Sequence, residues 1–253
     1  GSMWDWLITF LFDCIQGLEG LLGDWGLAII IFTVIIRLLL LPLTFKQQKS
    51  MAEMQMVTPL LQELQTKYAD DPQRLNAEMT KFYAEHKFNP LAGCLPMLVQ
   101  MPIFFALFSV LRDHVPADAS FYGILPSLAN NAGGILATAG FGAAIPYIIF
   151  VILFGILTFL PMYLQQNSNS MTKGMGAFMT IMMLFVGWSS PAGVVLYWVV
   201  SSGWGVVQQQ LIFKKKKIEA EEEQAALAAS QPPKPVEVDV VRREHKPRPR
   251  KKS

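Results

Sequence analysis

An arginine stands inside an apolar run long enough to cross a bilayer, and that conflict constrains the chain more than any other feature. The run is WGLAIIIFTVIIRLLLLPLTF, residues 25–45, whose 21 residues would span the hydrocarbon core as one helix. At about 1.5 Å per residue, Arg37 lies roughly 18 Å along that helix from Trp25 and roughly 13 Å from Lys46. Extending the side chain to either surface is strained at such a depth. A central arginine costs about 2.5–3.5 kcal/mol on insertion, which the surrounding Leu and Ile residues offset. The helix is expected to insert, and its charge then needs water or a partner.

The ordinary partner would be a carboxylate on a neighbouring helix. The sequence offers none at that depth: after Asp118 the next acidic residue is Glu219, and the acids between Lys46 and Leu95 fall in a polar stretch. A charge kept unpaired there implies a water-filled recess and a visitor that brings the negative group.

A chain of 253 residues that is 52% hydrophobic fits one compact helical bundle with water-facing appendages and has no room for a large second domain. Cys14 and Cys94 fall in segments assigned to opposite sides of the membrane, so no disulfide, metal site or cofactor is expected. Both read as small buried hydrophobes.

Taken in order, residues 3–24 contain no Lys or Arg, and Asp5, Thr9, Asp13, Gln16 and Gly20 recur at steps of three and four. That pattern predicts an amphipathic helix lying at the extracytoplasmic surface; a basic n-region that would mark a cleaved signal is missing. Residues 46–94 turn polar, with six basic and six acidic side chains. Met54, Val57, Leu61, Leu64 and Tyr68 keep a helical repeat, Asp70, Asp71 and Pro72 break it, and Leu75, Met79, Phe82 and His86 resume it. This predicts a cytoplasmic helical hairpin with a Met-rich face, its first arm bent at Pro59. Further apolar stretches follow at 95–111, 143–164, 175–188 and 191–213, separated by a polar, glycine-rich segment at 112–142 and by short loops.

The basic residues set the orientation. Six lie in 46–94, Lys173 lies between the third and fourth apolar stretches, and twelve lie in the tail, against Arg112 alone on the other side. The bias puts the N-terminus outside and the C-terminus inside, which requires an odd number of spans; five satisfies it. The predicted fold class is thus an all-α polytopic membrane protein of five transmembrane helices. The tail, 214–253, opens with four lysines and ends RREHKPRPRKKS, a composition that predicts disorder. Its charge suits lipid headgroups and ribosomal RNA alike.

Four stretches carry a resemblance: IIIFTVIIRLLLLPLT at 29–44, NPLAGCLPMLVQMPIFFALF at 89–108, PAGVVLYWVVSS at 191–202 and QQQLIF at 208–213. In this order they resemble the YidC family of membrane-protein insertases, in the compact five-span form of Gram-positive bacteria. The resemblance implies a bacterial plasma-membrane insertase and chaperone with a hydrophilic groove, open to cytoplasm and lipid, around Arg37. It further implies Thr33, one turn before Arg37, and Trp198 as groove residues. Ser202, one turn after Trp198, joins them from helical spacing. A third-span glutamine found in some members has no counterpart beyond Gln165 and Gln166. Nascent membrane proteins would be the clients, with the ribosome, the Sec translocon and membrane lipids as candidate partners.

Two other classes find some support in the residues. Gly187-Trp188-Ser189-Ser190 nearly spells an intramembrane serine protease pattern, but it lacks the final glycine, and His86, His114 and His245 all fall outside the spans, so no enzyme is expected. A small transporter or channel is the stronger alternative, because intramembrane charge often marks a pathway; an odd span count and the absence of a visible repeat count against it.

Overall fold

The structure, a computed structural model, describes residues 2–85, 95–164 and 170–232, and among them the regular elements are helices apart from one isolated bridge between Phe121 and Leu125. The first part of the second motif (89–94, with Cys94), His86, Gln165, Gln166 and the end of the tail with His245 lie outside the described residues. Two units are distinguished, Gly1–Lys215 and Lys216–Ser253.

In the first unit α1 (Ser2–Leu22) buries Ile8, Leu11 and Ile15, a single stripe at steps of three and four. The chain turns at Gly23, whose φ of +77° is a left-handed conformation that glycine adopts without strain, and α2 (Trp25–Leu39) leaves at 120° to α1. The apolar run of 25–45 is not one helix. It breaks at Leu40, and α3 (Leu41–Lys67) starts there, with Pro42 in its first turn. Proline has no N–H to give to the preceding turn, so the hydrogen-bond ladder restarts where it is tolerated best. Pro59 lies inside α3, which runs on unbroken to Lys67. After a turn in which the Lys67 and Arg74 cations sit 5.4 and 5.0 Å from the Tyr68 ring, α4 (Pro72–Glu85) begins. Leu61, Leu64, Leu75 and Met79 are half-buried and Phe82 is buried, so these arms turn a shared apolar face away from water.

The remaining helices are α5 (Leu95–Asp113), α6 (Ala132–Ala139), α7 (Phe141–Tyr163), α8 (Ser170–Ser189) and α9 (Ala192–Ser230). Residues Phe141–Pro161 form a helix long and apolar enough to cross a membrane; α1 with α2 passes the same measure only as a bent pair, and Gly174–Ser189 is a shorter apolar helix. In α7, Ala144, Tyr147, Val151 and Phe154 point into the core while Ile145, Ile149, Ile152 and Ile156 are exposed on the opposite face. A helix apolar on both faces is one whose outer face meets lipid.

The segment at 112–142 is more than a polar connection. Val115, Ala119, Leu125 and Leu128 are buried, and its backbone satisfies the helix starts beneath it. Gly26 donates to the Ser120 carbonyl (3.2 Å), Ala192 to Asn130 (2.8 Å) and Gly193 to Leu128 (3.0 Å). The N–H groups that every helix leaves unpaired in its first turn are thereby paired at α2 and α9. Asp24 fastens this cap from the other side: one carboxylate oxygen accepts from Leu27 N–H (2.8 Å) as the N-cap of α2, the other from Tyr122 N–H (2.9 Å).

The core centres on Trp198, whose ring lies 5.3 Å from both Phe104 and Phe154 and whose indole N–H donates to Thr158 Oγ1 (2.9 Å).

In the second unit the expected disorder from residue 214 is corrected in part: helix continues to Ser230. KIEAEEEQAALAAS consists of good helix formers with no Gly or Pro, and Lys216 pairs with Glu219 at 3.7 Å, so local propensity makes a helix that buries almost nothing.

Two substitutions test these contacts. Asp24→Ala removes both the cap and the tie to Tyr122 and should cost about 1–3 kcal/mol, read as a lowered thermal unfolding midpoint in nanodiscs, with Asp24→Asn losing less. Trp198→Ala should cost about 3–5 kcal/mol; an unchanged midpoint would show that the indole is not core.

Candidate functional site

α2 and α9 both start at the cap, and their contacts keep a constant register away from it. A Cβ on Gly193 would meet Ile29 of α2 and Leu111 of α5 at 3.2 and 2.6 Å, so only glycine lets the helices approach there. Arg37 Nε donates to Ser201 Oγ at 2.9 Å, and Gln208 Nε2 donates to Thr44 Oγ1 at 3.2 Å, each pair separated by 164 residues in sequence. The offset between Ile29 and Gly193 is the same. α9 therefore runs parallel to α2 and stays in step with α3 across the break at Leu40.

The seam so formed changes character along its length. Ile29, Gly193 and Leu111 make an apolar end next to the cap; Arg37 and Ser201 follow two turns on. Beyond them come Thr44, Gln48 and Gln208, with Gln48 Nε2 donating to the Gly205 carbonyl at 3.2 Å. A side chain at Gly205 would begin 3.6 Å from an Arg37 terminal nitrogen, so the missing side chain leaves that face of the guanidinium uncovered.

Arg37 has no ion pair among the described residues; its hydrogen-bonding partner is a neutral hydroxyl. A guanidinium carries five N–H donors, and Ser201 takes one. The side chain is half-buried, neither sealed nor free. Chemically this is a fixed positive charge with donors to spare, suited to holding a carboxylate or a polar chain, and it includes no nucleophile–base pair.

The residues put forward from the sequence do not all share this position. Thr33 is 1% exposed and donates to the Ile29 carbonyl at 2.7 Å within its own helix. Trp198 is 6% exposed and satisfied by Thr158, so it faces the packed core. The serine that meets Arg37 is Ser201, one place before Ser202. Both stand about one turn beyond Trp198, and only the roll of α9 against α2 separates them. Gly205 and the glutamine pairs were not singled out either; the run QQQLIF carried the resemblance but had no assigned part. Ser189 and Ser190 of the protease-like stretch donate to the carbonyls of Phe185 (3.1 Å) and Val186 (2.6 Å), as helix-end hydroxyls do.

Residues 17–221 match the family described as 60Kd inner membrane protein. The chain is 41% identical over 204 residues to the membrane protein insertase YidC of Fusobacterium nucleatum, covering 80% of this chain and 92% of that protein. It is 40% identical over 204 residues to the protein of the same name from Haemophilus influenzae, covering 78% of this chain. It spans 33% of that longer relative. A crystal structure of an active YidC insertase, with its first transmembrane domain resolved, superposes with a TM-score of 0.64 at 28% identity, over 83% of this chain and 46% of that one. With its all-helical bundle and a match over most of its length, the chain belongs to the 60 kDa inner membrane protein family, that of the YidC membrane-protein insertases.

Proposed function

We infer that this chain inserts membrane proteins, and that the seam around Arg37 is a hydrophilic groove that receives the polar flank of an incoming hydrophobic segment. The observation that carries the reading is the guanidinium held by one neutral hydroxyl, with its remaining donors unclaimed by any carboxylate among the described residues. The names of its relatives support the same activity.

The steps follow from the charges. A flank with one or two carboxylates enters from the cytoplasmic side and meets Arg37; at an effective dielectric near 20, a charge pair at 4 Å gains about 4 kcal/mol. That offsets much of the flank's dehydration without trapping it. A membrane potential positive outside then favours outward movement of each negative charge by about 2.3 kcal/mol per 100 mV. The apolar segment meanwhile passes sideways into lipid. No covalent step and no nucleotide enter this scheme, which describes a chaperone and insertase and not an enzyme. In this reading Thr33 and Trp198 back the groove from its packed side, Ser201 orients the guanidinium, and Ser202 is the next polar position on α9.

In this reading the five spans are residues 25–45, 95–111, 143–164, 175–188 and 191–213, with the N-terminus extracytoplasmic. α1 lies along the outer surface, α3 and α4 form the cytoplasmic hairpin that takes the client, and the basic tail reaches ribosome or lipid. The Sec translocon is a further partner.

The test is a charge series at position 37 in cells depleted of their own insertase. Arg37→Lys should keep most of the insertion of a short client with an acidic flank. Arg37→Ala should lose about tenfold or more, the loss of charged hydrogen bonds worth about 1.5–3 kcal/mol, and Arg37→Glu should be worst. Equal insertion by all three would reject the electrostatic step.

A further inference from the structure

Past Arg37 the seam leads into a cluster of amides for which a charge-based mechanism has no use. On α9, Ser201, Gly205, Gln208 and Gln209 fall at i, i+4, i+7 and i+8, and on α3, Thr44, Gln47 and Gln48 fall at i, i+3 and i+4. Each set lies on one helix face. The bonds from Gln208 to Thr44 and from Gln48 to Gly205 bring the two faces together.

Gln47, Gln208 and Gln209 are 6%, 7% and 5% exposed. Even so, Gln47 Nε2, Gln209 Nε2 and Trp204 Nε1 have no acceptor among the described residues, and Gln48 Oε1 and Gln208 Oε1 have no donor. The orientation of two amides is fixed by what they touch. Gln48 must turn its nitrogen to the Gly205 carbonyl. The Thr44 hydroxyl already donates to the Leu40 carbonyl (3.1 Å), so it accepts from Gln208. Both free oxygens are therefore true acceptors, and the Trp204 indole is a donor in any orientation.

Buried polar atoms without partners are costly, and folded proteins keep few of them. Five along one seam, where Leu or Met would pack well, point to a guest. A carboxylate could use only the donors. A peptide backbone, with one N–H and one C=O per residue, matches both kinds.

We propose that this glutamine cluster is a second binding station of the groove, one that hydrogen-bonds the uncharged backbone and side-chain amides of a passing polypeptide flank. It lies closer in sequence to the exposed Lys46 and Lys49 than Arg37 does, so a flank from the cytoplasmic side meets it first. Flanks without acidic residues are held here, where they find acceptors as well as donors; Arg37 offers them donors alone. The proposal rests on the insertion reading above.

The test uses the full chain in proteoliposomes and two clients that differ only in the flank, one acidic and one of Asn, Ser and Gly. The readout is the ratio of neutral-flank to acidic-flank insertion. Q47L with Q209L should lower that ratio roughly five- to tenfold, the effect of one lost hydrogen bond or slightly more, while R37A should raise it. An unchanged ratio, whether both clients are lost equally or neither is lost, overturns the proposal and makes the cluster structural. Should the double variant not accumulate folded, Q47L alone is read in the same way, and a photo-crosslinker replacing Gln209 must label the neutral flank; no label overturns the proposal. If the unaltered chain inserts neither client above empty vesicles, the insertion reading itself fails, a result separate from any change in ratio.

Discussion

The pairing of Arg37 with Ser201 is the interaction on which the rest of this structure depends. A hydroxyl can orient a guanidinium but cannot neutralise it, so the positive charge survives at the middle of the α2–α9 seam. A glutamate at position 201 would have made a buried ion pair, with both charges satisfied and nothing left for a guest. The cost of leaving the charge uncompensated has to be met elsewhere in the fold. It is met by a rigid, well-satisfied end next to it: the cap that pairs the first N–H groups of α2 and α9, the double use of Asp24, and the aromatic cluster around Trp198.

That division explains the gradient along the seam. Near the cap the helices approach through Gly193 and exclude water by apolar contact. Two turns on, a charge replaces the apolar pair, and beyond the joint at Leu40 amides replace the charge. The constant register of 164 residues means that α3 continues along α9 although the helix ladder was interrupted at Leu40. The break changes the hydrogen bonding of the backbone without moving the polar faces apart. Polar groups thus accumulate away from the cap, and the end next to the cap is the one built from packed apolar side chains.

What the sequence revealed and what it hid follow from the range of each force. The all-helical class, the long apolar helix at Phe141–Pro161 and the two helices of 46–85 follow from patterns within single segments, and they were legible. The resemblance placed the chain in its family because its motifs keep their order. The break at Leu40 was hidden because hydropathy averages over Pro42, whose effect is on one hydrogen bond. The choice of Ser201 over Ser202 depends on how α9 rolls against α2, which no spacing within α9 contains. Trp198 enters as a groove residue through the resemblance; its packing between Phe104 and Phe154 depends on how α5, α7 and α9 meet, which no pattern within α9 contains. In the tail, disorder was expected from composition, but as far as Ser230 a string of Ala, Glu, Lys and Gln makes helix without a core. The cap was hidden because, apart from Asp24, it holds α2 and α9 through the backbone carbonyls of Ser120, Leu128 and Asn130, which leave no trace in side-chain pattern.

The central claim is that the Arg37 charge stands in a recess wetted from the cytoplasmic side. The most direct measurement is thiol accessibility: with Cys14 and Cys94 replaced by Ala, a single cysteine at position 205, beside the guanidinium, is treated with a membrane-impermeant maleimide in inverted and in right-side-out vesicles. The account requires rapid labelling in inverted vesicles and little in right-side-out ones. No labelling from either side, with the denatured protein labelling fully, would mean a dry, sealed interior around Arg37 and would contradict it.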